Sequence, residues 1–277
     1  MVTREPAIGQ PVFGGATLGG RWPALPSPRR LTGLVVPALL LALWQVVVNL
    51  GVYSRSQLPA PLDVVAALRE LADIGLLWPN VSASLERVAI GFAVGGLVAT
   101  LIGLVVGLSR QAEALLAPTL QAIRAVPSLA GVPLLILWLG IGEGPKLTLI
   151  AIGAFFPVYT ALVAGIRQID RKLIEVGRAY GLRGASLVRE VLLPAALPSL
   201  LTGLRLGLAQ AWLFLVAAEL IAASAGLGFL LTDASNTGRA DIIVLSIVLL
   251  ALIGKGSDGL LALAERWLLR WTDTYAG

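Results

Sequence analysis

Apolar residues run nearly unbroken for about twenty positions at a time, separated by short breaks rich in charge, proline or glycine. A spanning helix needs roughly 20 mostly apolar residues. The runs at about 32–51, 82–108, 113–139, 146–166, 198–222 and 241–262 therefore predict six transmembrane helices in one polytopic all-α domain, 32–272. Strand-length alternation of apolar and polar positions is not repeated, which sets aside a closed barrel. Outside the domain lie a flexible tail at 1–31 and a short one at 273–277.

Within the runs, smaller patterns predict how the helices meet. Gly91, Gly95, Ala99, Gly103 and Gly107 recur every four residues in the second span, a stripe along which another backbone can approach. Gly203, Gly207 and Ala211 do the same in the fifth. The third span contains Pro118, Pro127 and Pro133 and must bend, because each proline removes a backbone donor. Between the first two spans, 58–79 opens LPAPLDVV and continues as a short amphipathic helix with Asp63 as a cap. Arg69, Glu70 and Asp73 on its polar side predict a place at the membrane surface.

Composition narrows the chemistry. The chain is 57% hydrophobic and 13% charged, with a mean hydropathy of +0.87, so lipid is its expected solvent. With no Cys and no His, it offers no thiol nucleophile, disulfide, imidazole base or soft metal site. No catalytic residue and no metal ligand is expected, and the net charge of +5 is spread between spans, which argues against nucleic acid as a partner. Read as topology, the basic residues divide unequally. With the N-terminus inside, the inner side holds Arg4, Arg21, Arg29, Arg30, Arg110, Arg167, Arg171, Lys172, Arg178, Arg183, Arg189, Arg266 and Arg270. The outer side keeps Arg55, Arg69, Lys146 and Arg239, so both termini are expected in the cytoplasm.

The segment 167–195 is long, polar and cytoplasmic by that count, yet strongly patterned. It predicts two short helices joined at a glycine. The first, about 170–180, has Asp170 as its cap and Gly181 as its left-handed terminator. The second, about 185–193, places Leu187, Val188, Val191 and Leu192 opposite Arg189 and Glu190 and stops at Pro194. Such a pair could dock a soluble partner or lie on anionic headgroups.

Glu175, then Gly181, then Val191, Leu193 and Pro194 match the spacing of the EAA motif of ATP-binding-cassette (ABC) importer permeases, with Val176 and Gly177 in place of the two alanines and Val191 in place of isoleucine. The phrases SASLERVAIGF, IRAVPSLAGVPLLILWLGIGEGPK, GAFFPVYTALVAGIRQID and AAELIAASAGLGFLL extend the likeness from about residue 58 to the C-terminus. The chain thus resembles the inner-membrane permeases of binding-protein-dependent importers, in the subgroup for sulfonates, taurine and nitrate. The resemblance implies a type I importer permease fold and a homodimer, with two nucleotide-binding ATPase subunits and a periplasmic or lipid-anchored binding protein. It implies that Glu175, Val176, Gly177, Gly181, Val191, Leu193 and Pro194 meet the ATPase. ATP and Mg would then sit on that partner, and this chain would bind no cofactor; it contains no GxxxxGK[ST] loop.

Ionisable groups inside spans are costly and point to function by default. Arg124 could pair with an anionic solute in a wet path, and Glu219 could act near an outer gate, although snorkelling and a structural hydrogen bond compete with those roles. Lys255 and Asp258, three residues apart, can neutralise one another, and Arg205 can snorkel. The remaining reading, a self-sufficient carrier or channel, would call for ion-coupling carboxylates or matching half-repeats and leaves 167–195 unexplained.

Overall fold

A computed structural model describes residues 28–271, and the described residues are helices and connecting turns. The tails expected at 1–31 and 273–277 lie outside the described residues except for 28–31. Residues up to Val46 form one compact unit and those from Val47 a second. The helix α1 is Pro28–Asn49, and its described apolar stretch, Val35–Asn49, is shorter than a full crossing.

In the second unit, α2 (Pro61–Asp73) precedes α3 (Leu77–Leu108). Ala60 caps α2, and Asp63 accepts the Ala60 N–H at 2.9 Å, so Asp63 closes the first turn from inside the helix. Val64, Ala67 and Leu71 form the buried face of α2. At 32 residues, α3 is about 48 Å long, ample for a bilayer.

The third expected span is not one helix. It divides into α4 (Arg110–Ala125), a 3₁₀ turn at Ser128–Gly131 and α5 (Val132–Leu139), with an 84° bend between the halves. Pro127 and Pro133 fall at the break, where two missing N–H donors interrupt the ladder. Then come α6 (Glu143–Arg167), α7 (Arg171–Ala179), the single turn α8 (Ala185–Leu187), α9 (Leu193–Ala222), α10 (Leu227–Asn236) and α11 (Ala240–Leu268). Among the described residues, four helical segments are long and apolar enough to cross a membrane, or five if the bent pair is counted as one span.

The centre is α6, which α3 and α9 clasp from two sides through their small residues. A Cβ on Gly91 would fall 2.6 Å from Ile150, and one on Gly107 would fall 2.6 Å from Ile166. On the other flank, Gly203 and Gly207 face Ala161 and Val158 at 2.8 Å by the same construction. The four-residue stripes are thus the seams of the bundle, where loss of side chain allows close backbone contact. Ile150, Ala154, Val158 and Leu162 are almost fully buried along α6.

Pro194 does not stop a helix, contrary to expectation. Val188–Leu192 is a π-helical turn that leads straight into α9, with Pro194 in the first turn. The wider turn accommodates a proline that cannot donate to the preceding ladder, so 185–221 is one continuous 37-residue rod.

Candidate functional site: the segment before α9, a cavity and a polar cluster

Three features occupy successive levels of the bundle. At the end where α6 finishes and α9 begins, α7 is built as the sequence predicts. The Asp170 side chain accepts the Lys172 N–H at 2.9 Å, and Gly181 adopts φ +84°. The Gly181 N–H donates to the Arg178 carbonyl at 2.9 Å and the Leu182 N–H to the Gly177 carbonyl at 3.0 Å, closing the helix end.

Glu175 and Val176 point outward, with Leu173, Val176 and Tyr180 forming an apolar patch that is 45, 53 and 84% exposed. Gly177 is buried, and a Cβ there would come 2.9 Å from Leu187 and 3.0 Å from Val191. The glycine standing where the motif has alanine therefore lets α7 close tightly onto the following turn. Val191 is the other side of that contact, Pro194 is partly buried and Leu193 is exposed.

Midway along α6, a cavity of about 630 Å³ opens against α9 and the α4–α5 break. Arg124, Ser128, Phe156, Thr160, Gln210 and Phe214 are among its lining residues. A second cavity of about 230 Å³ adjoins it and shares Arg124, Phe156 and Thr160, adding Gln121 and Tyr159. Arg124 therefore faces both. Among the described residues it makes no ion pair, whereas the neighbouring Arg167 is held by Glu113 at 2.7 Å. The polar lining residues Ser128, Thr160 and Gln210 carried no sequence signal, since isolated hydroxyl and amide side chains are common in transmembrane helices.

At the opposite end from α7, a buried polar cluster ties α3, α6, α9 and the turn before α10. Arg87 donates to both oxygens of Glu143, at 2.7 and 2.8 Å, to Glu219 at 2.7 Å and to the Ala225 carbonyl. Glu219, 1% exposed, also accepts from Ser84 Oγ at 2.8 Å and from the Gly228 N–H at 2.8 Å. Ser84 Oγ accepts the Leu227 N–H at 2.8 Å, and Asn80 Oδ1 accepts the Gly226 N–H at 2.7 Å. Lys146, 3% exposed, joins through Glu143 at 2.8 Å. Arg87 and Lys146 thus meet the buried Glu219 and the half-exposed Glu143, so every charge of the cluster is paired.

Glu219 was visible in the sequence, but Arg87 and Glu143 were not singled out. Arg87 sits a few residues inside the apolar run at 82–108, and that position alone was the available signal.

Arg205, Lys255 and Asp258 also pair. Asp258 takes Lys255 at 3.3 Å, as the spacing suggests, but its shorter contact is with Arg205 at 3.1 Å. Arg205 reaches Glu265 as well, at 3.1 Å, so it bridges α9 and α11 instead of only snorkelling.

A bundle of apolar helices with a broken span, and a helix–glycine–helix segment leading into a crossing rod, defines a membrane-transport subunit. Residues 95–270 match the family described as binding-protein-dependent transport system inner membrane component, and the chain belongs to that family. The SsuC permease protein of Bacillus subtilis (strain 168), named for aliphatic sulfonates transport, is 42% identical over 89% of this chain and 90% of its own length. The taurine transport system permease protein TauC of Escherichia coli (strain K12) is 35% identical over 91% and 92%. The bicarbonate transport system permease protein CmpB of Synechococcus elongatus is 31% identical over 87% and 92%. Among solved structures, a chain of the MetNI methionine ABC transporter in inward-facing conformations superposes with a TM-score of 0.61 at 23% identity. It covers 73% of this chain and 99% of that one, a likeness of fold. The protein is thus a membrane permease of the ABC importer class, and the self-sufficient carrier reading is not favoured.

Proposed function

We propose that this permease carries a small organic anion of the alkanesulfonate type, with Arg124 as the charged group that receives it. The observation that carries this reading is the Arg124 guanidinium, which faces both cavities and is free of any ion pair among the described residues. A guanidinium presents several N–H donors in a fixed fork suited to an oxyanion, and Ser128 and Gln210 can add neutral hydrogen bonds. The names of the sulfonate and taurine relatives agree with that chemistry.

ATP with its Mg is bound and hydrolysed by a separate ATPase subunit seated on α7 and the turn around Gly181, with Glu175 and Val176 at the contact and Gly177, Val191, Leu193 and Pro194 shaping its base. Two copies of the permease form the path, and a binding protein outside the cell delivers the solute. The N- and C-termini lie in the cytoplasm. The exposed patch at Leu173, Val176 and Tyr180 supports the docking, and the basic-residue asymmetry supports the orientation.

The test is uptake of ethanesulfonate by the reconstituted complex, with taurine and bicarbonate as comparators. Arg124→Gln is expected to raise the KM for ethanesulfonate about tenfold or more, the cost of losing one charge-assisted hydrogen bond. An unchanged KM and maximal rate would remove Arg124 from the path.

A further inference from the structure

We propose that Arg87 and Glu219 are positioning residues that lock the 223–228 turn onto α3, so that α3, α6, α9 and α10 move as one block during transport. The inference rests on the importer reading given above. Its basis is the convergence of partners on a carboxylate that is 1% exposed: a hydroxyl from α3, a guanidinium from α3 and a backbone N–H from the start of α10.

The turn itself is held by more than that carboxylate. Its N–H groups at Gly226 and Leu227 donate to Asn80 and Ser84, and its Ala225 carbonyl accepts from Arg87. Freeing the Ala225 carbonyl and the Gly226, Leu227 and Gly228 N–H groups for other partners requires several of these bonds to break together. Gly226, at φ +129°, and Gly228 also lack the room for a Cβ, which at Gly228 would lie 2.6 Å from the Glu219 side chain. Partial opening would leave a carboxylate or a guanidinium unpaired in the interior, so the lock holds wholly or fails wholly.

The consequence concerns transmission. The rod 185–221 begins at the coupling segment and ends at Glu219 and its neighbours, and α6 runs from Glu143 to just before α7. Movement imposed at Glu175–Gly181 therefore reaches the far end through two helices that the Arg87 cluster ties together there. By contrast, α4 has no buried residue and α5 has only Val132, so the broken pair is held to this block more loosely, through Glu113–Arg167 and the packing of Val132 on Leu149 and Ala218. Shape change within one copy falls at α4–α5, and the outer turn stays fixed to α3.

The test uses the complete reconstituted complex. Glu219→Gln is expected to lower the ratio of solute-stimulated to unstimulated ATP hydrolysis about tenfold, since the loosened turn no longer follows α9. A ratio equal to that of the parent would overturn the proposal. Hydrogen exchange at the amides of 226–228 reads the lock without any solute. Slow exchange in the parent and fast exchange in Glu219→Gln are expected, and fast exchange in the parent would overturn the lock. If the parent complex fails to import any solute of this class, the importer substrate reading fails, while the exchange measurement still decides the lock.

Discussion

Gly95 has no space for even a methyl group, because a Cβ there would run into the backbone carbonyl of Ala151 on α6. The neighbour is main chain, which cannot swing aside as a flexible side chain can. Gly95→Ala is therefore expected to destabilise the purified protein by about 1–3 kcal/mol, the usual cost of overpacking a close contact. Gly256→Ala on α11 meets nothing within 4 Å and is the matched control, expected to leave the melting temperature unchanged or slightly raised. Thermal unfolding in detergent compares the two. Arg124 and Arg167 show the same residue-level logic in electrostatic form. The second has Glu113, while the first, with no ion pair among the described residues, turns its guanidinium toward a cavity, and this difference is why only Arg124 enters the solute reading.

At the scale of elements, α2 is fixed to the turn between α10 and α11 by charge as well as by its buried apolar face. Arg239 donates to Glu70 at 2.7 and 3.0 Å and also meets Asp241 at 2.8 Å. The Arg239 guanidinium holds the Glu70 carboxyl below its ordinary value of 4.5, and the two carboxylates raise the arginine in turn. A depressed carboxylate stabilises the fold above its ordinary pKa and loses that contribution as pH falls through the depressed one. The protection factor over 61–73, that is, exchange measured against the intrinsic rate at each pH, is accordingly expected to fall as the pH is lowered from about 6 to about 3, with Glu70→Gln weakly protected at both ends. Protection that is insensitive to pH in the parent would show that Val64, Ala67 and Leu71 alone hold α2.

The whole molecule was legible in the sequence to the extent that its interactions are local. Four-residue glycine spacing marked the seams of α3 and α9, proline marked the break in the third span, and Asp170 and Gly181 marked both ends of α7. Each of those signals is written within a few positions and needs no partner to be read. The Arg87 cluster was not legible, because Arg87 meets residues 56 and 132 positions away and only the fold brings them together. The continuity of α8 into α9 was missed for a different reason. Proline ordinarily ends a helix, and the π-helical turn that admits Pro194 depends on backbone geometry that side-chain patterning does not encode.

We propose that a separate ATPase drives this membrane bundle through the segment from Glu175 to Pro194. The most direct measurement is solute-stimulated ATP hydrolysis together with ethanesulfonate uptake, in proteoliposomes holding the permease, its ATPase and its binding protein. Glu175→Lys places the wrong charge on an exposed face, and Gly181→Leu forces a branched side chain into φ +84° at the end of α7. Both variants are expected to insert and purify normally, while uptake and solute stimulation fall about tenfold or more as the docking helix loses its fit. Uptake and stimulation equal to the parent in both variants would contradict the account.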